Sequence, residues 1–296
     1  MHRTVHALVC AALVSLGASA CPSLAADVRI AAAHLSGDQV LRAQWFTPPP
    51  ARSSGAAAIL LHGCGGLGRD GTLNARHAAA RDWLLERGIA VLFPESFTSR
   101  GIDEICTIRM KERTIRPDDR ALDVMAAHRW LRHQPGIDGG KIVLWGWSHG
   151  GSTVLATVTH AGPDGKFGDD ARFIEAIAFY PGCSPYARDT APASISSPLT
   201  VLIGEADDWT PAAPCSAFVE RLRKAGQSAT ITLFADAWHD FDNPAGRLRV
   251  RRDVPNGVHA GGVTVGPNPK ARAEAMAQID RLLHARHLVR GQSAAD

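Results

Sequence analysis

The stretch Lys141-Ile142-Val143-Leu144-Trp145-Gly146-Trp147-Ser148-His149-Gly150-Gly151 decides how the rest of the chain is read. It opens with a continuous apolar run, of the kind a strand buried on both faces requires. The run turns sharply at Gly146-Trp147-Ser148-His149-Gly150, a G-x-S-x-G pattern, and residues 150–160 then suit a helix. A serine at so tight a strand-to-helix turn sits on strained backbone. Glycines two places on either side remove the Cβ atoms that would strike the adjoining strand and helix. Ser148 is therefore expected at the carboxyl end of a central strand, with its hydroxyl presented as a nucleophile.

The same alternation extends in both directions. Residues 40–46, 56–61, 89–93, 173–180, 199–203 and 230–234 read as strands. Helical patterning covers 72–87, a segment opened by Pro117 with Leu122, Met125, Ala126 and Trp130 on one face, residues 214–225, and a last helix with Met276, Ile279 and Leu283 as its apolar face. Strands that are apolar throughout, separated by helices, predict a mainly parallel sheet with helices on both faces. No composition shift, long linker or fixed-period repeat interrupts the pattern, so residues 26–296 are expected to form one α/β domain. The widest irregular stretches are 95–116 and 241–268, and long loops in a compact domain are commonly functional.

The 296 residues are 45% hydrophobic and 21% charged, enough for a sizeable core. The net charge of +3, from 32 basic and 29 acidic residues, gathers into no long block, and no nucleic-acid partner is implied. The short run Arg249, Arg251 and Arg252 reads as a solvated loop face. At the start, His2 and Arg3 precede an apolar stretch over 7–18 and then small residues, the pattern of a secretory signal peptide over residues 1–25. Cleavage after Ala20 and after Ala25 both satisfy the small-residue rule, and Ala18-Ser19-Ala20-Cys21 faintly matches a lipoprotein signal. The stretch is shorter than the roughly 20 apolar residues of a spanning helix, and no later segment reaches that length. The expected location is secreted or periplasmic, with lipid anchoring at Cys21 the second choice.

Removing residues 1–25 leaves Cys64, Cys106, Cys183 and Cys215. No C-x-x-C pair occurs among them, so a zinc site is disfavoured and no metal is expected, whereas an oxidising compartment favours disulfides. Cys183 follows the 173–180 strand and Cys215 the loop after the 199–203 strand. Adjacent parallel strands would bring the two together, with Cys64 and Cys106 as a second pair.

A serine hydroxyl needs a base to take its proton and a carboxylate to orient that base. Gly204-Glu205-Ala206-Asp207-Asp208 follows a buried strand, placing Asp207 or Asp208 at its carboxyl end, where sites form in parallel sheets. Trp238-His239-Asp240-Phe241 follows the next strand in the same way. The order Ser, Asp, His is that of the α/β-hydrolase fold. Leu61-His62-Gly63-Cys64-Gly65-Gly66 has the glycine richness of an oxyanion loop, and the main-chain N–H groups of Cys64 and His149 are the expected donors. No G-K-[ST] follows it, so a phosphate-binding loop is not indicated.

His62-Gly63-Cys64-Gly65-Gly66, Gly146 to Gly151, Gly204-Glu205-Ala206-Asp207-Asp208-Trp209-Thr210-Pro211 and His239-Asp240-Phe241 together resemble the motifs of the dienelactone hydrolase family, over residues 56–287. The resemblance implies an α/β-hydrolase that cleaves ester or lactone bonds of a small-molecule substrate without metal or organic cofactor. It also implies that the acid is the third residue after the glycine, Asp207. The chain departs from the family's founding enzymes at the nucleophile, serine here and cysteine there. A serine peptidase of the prolyl-oligopeptidase type shares the triad order but usually adds a gating propeller or cap, for which the chain has no repeat region. A non-catalytic envelope binding protein would have no need of an intact Ser, Asp, His and glycine loop.

Overall fold

The computed structural model describes residues 24–35, 39–160, 167, 172–188 and 194–290. An eight-stranded sheet forms the centre, in the order β1-β2-β6-β3-β7-β8-β9-β10. Its members are β1 (Leu24–Ile30), β2 (Leu41–Thr47), β3 (Ala57–Leu61), β6 (Ala90–Pro94), β7 (Ile142–Trp147), β8 (Glu175–Phe179), β9 (Leu199–Gly204) and β10 (Ala229–Phe234). β1 and β2 run antiparallel to their neighbours, and β6 through β10 pair in parallel. β3, β6, β7, β8 and β9 are buried at every residue, which is why their sequences show no polar alternation.

The helices are α1 (Ala75–Glu86), α2 (Pro117–Leu131), α3 (His149–His160), α4 (Ser184–Arg188), α5 (Ala212–Lys224) and α6 (Pro269–Ala285). Two small ribbons complete the fold, β4 (Gly68–Arg69) with β5 (Thr72–Leu73) and β11 (Arg249–Arg251) with β12 (Val263–Val265). The chain steps from β3 outward to β6 and then returns to β7 on the other side of β3, so the strand order reverses between β3 and β7. In open parallel sheets such a reversal opens a crevice at the strands' carboxyl ends. The loop after β3 and the turn after β7 both end there.

Several sequence expectations need correction. The helix read over 72–87 begins at Ala75, because Asn74 caps it by accepting from the His77 N–H and Thr72–Leu73 pair as a strand. On α2, Met125 and Ala126 are buried as read, but Leu122 is 37% exposed and Trp130 only half-buried, while Ala121, Val124, Ala127 and Leu131 are buried together with Arg120, Asp123 and His128. Polar residues on the inner face broke the apolar period on which the reading relied. Arg249–Arg251 is a strand and not a loop, though Arg249 is exposed as expected. β1, both ribbons and α4 gave no readable signal. Most of the expected leader lies outside the described residues, Cys21 included; Leu24 and Ala25 are the first residues of β1, opposite Thr47 and Phe46.

Two disulfides join Cys64 to Cys106 and Cys183 to Cys215, as the sequence pairing anticipated. No helix among the described residues is long and apolar enough to cross a membrane, and none of their His, Cys, Asp and Glu side chains cluster to hold a metal.

Candidate active site

Ser148 joins β7 to α3 with φ of 54°, a left-handed backbone that a non-glycine residue adopts only when its surroundings impose it. The imposition is packing. A Cβ on Gly146 would lie 2.3 Å from the Gly150 carbonyl oxygen, and one on Gly150 would lie 2.2 Å from that of Leu61. The turn is thus as tight as the two glycines allow, and the Ser148 N–H is tied to the Phe179 carbonyl at 2.9 Å.

The other two expected residues converge on this serine. His239 Nε2 lies 2.9 Å from Ser148 Oγ, and its Nδ1 lies 2.8 Å from Asp207 Oδ2. With Nδ1–H donating to the carboxylate, Nε2 is left to accept from the serine hydroxyl. Asp207 is held by the N–H groups of Trp209 and Thr210, both on Oδ1, while the Thr210 hydroxyl donates to Oδ2. The neighbouring carboxylate does something else. Asp208 accepts from the N–H and hydroxyl of Thr264 at 2.7 and 2.9 Å, fixing β12 against the acid loop.

The loop after β3 passes beside the nucleophile, since a Cβ on Gly63 would lie 3.4 Å from Ser148 Cβ. Cys64, next along, accepts from the Ile105 N–H at 2.8 Å and is bridged to Cys106, so the 95–116 segment anchors this loop twice. The His149 N–H begins α3 and is one of the donors that every helix start leaves without an intrahelical partner. His62 does not face the serine through hydrogen bonding; its Nδ1 lies 2.8 Å from the Gly63 carbonyl and its ring packs edge-on to Phe97. Burial first, and then the Arg120 cation, push its pKa well below the usual histidine range.

Sequence reasoning missed what surrounds His239. The Tyr180 and Trp209 rings lie 4.4 and 4.6 Å from its imidazole, one on the β8 side and one on the acid loop. Asp242 accepts from the Tyr180 hydroxyl at 2.5 Å and from Trp147 Nε1 at 2.8 Å, linking the residue before the nucleophile to the histidine loop. Arg76 of α1 reaches Asp240 at 2.5 Å and Asp242 at 3.5 Å. Burial alone would raise Asp240, but the Arg76 charge holds its pKa below the usual carboxylate range; Asp242 is raised by burial despite the same arginine. The spacing of Asp240 and Asp242 directly after His239 was the only available hint.

A cavity of about 810 Å³ opens beside the loop after β3, bounded by Gln44, His62, the 65–72 segment, Phe97, Cys106 and Arg251; Ser148, Asp207 and His239 do not line it.

Residues 42–285 match the model of the dienelactone hydrolase family. No curated protein matches the chain. Among solved structures, the apo form of Thermogutta terrifontis esterase 2 is similar at 18% identity and a TM-score of 0.61, covering 90% of this chain and 97% of that one. A Klebsiella pneumoniae protein described as a dienelactone hydrolase is similar at 17% identity and a TM-score of 0.62, covering 90% and 98%. A dienelactone hydrolase-like promiscuous phosphotriesterase from metagenomic libraries is similar at 18% identity and a TM-score of 0.61, covering 89% and 98%. At these identities the likeness is one of fold.

Proposed function

Because this chain belongs to the dienelactone hydrolase family, we propose that it is a carboxylic ester hydrolase that cleaves small-molecule esters or lactones through an acyl-enzyme on Ser148. One observation carries the reading: Ser148 Oγ, His239 and Asp207 form a chain of contacts at 2.9 and 2.8 Å on a left-handed strand-to-helix turn. His239 takes the serine proton as Oγ attacks the acyl carbon, and Asp207 stabilises the imidazolium that results. The main-chain N–H groups of Cys64 and His149 meet the oxygen that becomes negative. His239 then returns the proton to the departing alcohol, and a water, activated by the same imidazole, releases the acid and restores the serine.

The leader serves as the export signal in this reading, with cleavage after Ala20 leaving Leu24 and Ala25 in β1, and the two disulfides are compatible with an oxidising compartment outside the cytoplasm. The test is a panel of p-nitrophenyl esters, lactones and aminoacyl amides, run with wild type and Ser148→Ala. Ester or lactone turnover that falls by several orders of magnitude in the variant supports the reading, with a residue of catalysis left from the oxyanion donors. Turnover unchanged in Ser148→Ala, or activity on amides alone, refutes it.

A further inference from the structure

Against the side chain of His149, the residue after the nucleophile, lies a cation that the triad does not use. Arg120 on α2 is 0% exposed, and its Nη1 lies 3.0 Å from His149 Nδ1. Its Nε and Nη2 find no hydrogen-bond partner among the described residues. The nearest carboxylate one turn along, Asp123, is already engaged by His34 at 2.7 Å and by two Arg100 nitrogens at 2.9 Å. The guanidinium otherwise rests over Phe97, 5.0 Å from its ring centroid. A buried charge so poorly compensated is costly in a folded protein, and a site where negative charge develops during reaction is where that cost is offset.

A guanidinium can only donate, so the Arg120 contact requires His149 Nδ1 to accept. The imidazole is then neutral, with its proton on Nε2. The charged and titratable groups that face it are Arg120 from α2, Arg113 from the 95–116 segment and His62 from the loop after β3, and none is acidic. Burial, and then these arginines, hold the His149 pKa well below the usual range. Protonating this ring would break the Arg120 contact and set another positive charge against two already present.

Resting on the ester-hydrolase reading above, we propose that Arg120 is a positioning residue for the reaction: it pins the His149 imidazole as the Nε2–H tautomer, fixing the main-chain donor beside Ser148, and sets a buried positive charge behind the oxyanion. The charge is only partly balanced in the free enzyme, by an Asp123 carboxylate shared with Arg100, and is met more fully when the substrate oxygen becomes negative, so its stabilisation falls on the transition state more than on bound ester.

The experiment uses the full chain, with Arg120→Met and Arg120→Lys, and reads both p-nitrophenyl acetate kinetics and the ¹⁵N shifts of the His149 ring, assigned by their loss in His149→Gln. In wild type the ring shows the neutral Nε2–H pattern from pH 8 down to 5. In Arg120→Met the neutral ring loses its single tautomer and shows a mixture of Nδ1–H and Nε2–H, and kcat falls roughly 10- to 100-fold with KM changed less than about twofold, a loss of transition-state stabilisation. Arg120→Lys, which keeps the charge but not the fork, recovers part of kcat. A wild-type His149 that carries its proton on Nδ1, or that titrates near the free-histidine value, overturns the proposal even if no variant folds. So does Arg120→Met with wild-type kcat. The ring shifts do not depend on the identity of the nucleophile, so failure of the triad reading, seen as unchanged turnover in Ser148→Ala, is separable from failure of this one.

Discussion

Asp207 and Asp208 stand side by side at the end of β9, and their partners divide them. One carboxylate meets His239 Nδ1, the other holds Thr264 of β12. Asp207→Asn should lower kcat by roughly 10³- to 10⁴-fold, since an amide in that place favours the wrong imidazole tautomer. Asp208→Asn should stay within about tenfold of wild type, as it loosens a ribbon and leaves the base oriented. Steady-state kinetics on one p-nitrophenyl ester compares them, and equal or reversed losses would contradict the assignment. At this scale the sequence was legible where a motif fixes both residue type and spacing, as at Ser148, His239 and the glycines around them. Arg120, Arg76 and Asp242 were not legible. They reach the site from helices α1 and α2 and from a loop, and nothing in local spacing marks a polar side chain that packs inward from a distant element.

The elements that carry these residues are braced by the two disulfides, and each bridge is expected to report differently. Cys183–Cys215 ties the end of β8 to α5, beside the acid loop, across a separation of 32 residues. The chain-entropy model values such a closure at roughly 3 to 4 kcal/mol. Replacing both cysteines by alanine should lower the melting temperature by roughly 10 °C while kcat at 25 °C stays near wild type. Cys64–Cys106 joins the proposed oxyanion loop to the 95–116 segment. Its removal by Cys64→Ser with Cys106→Ser should lower kcat as well as melting temperature, and a pair of variants with the reverse pattern would count against the placement of Cys64. The central strands were readable because burial on both faces writes itself as an unbroken apolar run. The inner face of α2 was read only in part, at Met125 and Ala126, because Arg120, Asp123 and His128 also occupy it, and β1 was missed because its apolar positions run into the leader pattern.

Across the whole molecule, several buried histidines couple folding to acidity. His77 packs between Phe93 and Trp147, with Nδ1 2.7 Å from the Leu67 carbonyl. Burial, and then the Arg76 charge, push its pKa down to about 3. An unfolded histidine takes up its proton near 6.5, so below that pH the unfolded chain binds a proton that the folded one refuses. The stabilisation is complete above about pH 6.5 and is lost on acidification toward pH 3, at about 1.4 kcal/mol per pH unit for this group. His62 and His149, also lowered by burial, act in the same direction. The urea midpoint should therefore fall steadily from pH 7 to 4, and less steeply in His77→Phe; a midpoint independent of pH over that window would contradict the account.

All of these scales serve one claim, that the turn after β7 presents a serine which becomes covalently acylated. Reaction of the full chain with diethyl p-nitrophenyl phosphate, followed by peptide mass mapping, tests it most directly, because a serine activated by His239 attacks phosphorus as it attacks an acyl carbon and the adduct persists. The predicted result is one diethylphosphoryl group per chain, on Ser148, formed in step with loss of esterase activity and absent from Ser148→Ala. Esterase activity that survives the reagent with Ser148 unmodified, or is lost with the adduct on another residue, would contradict it.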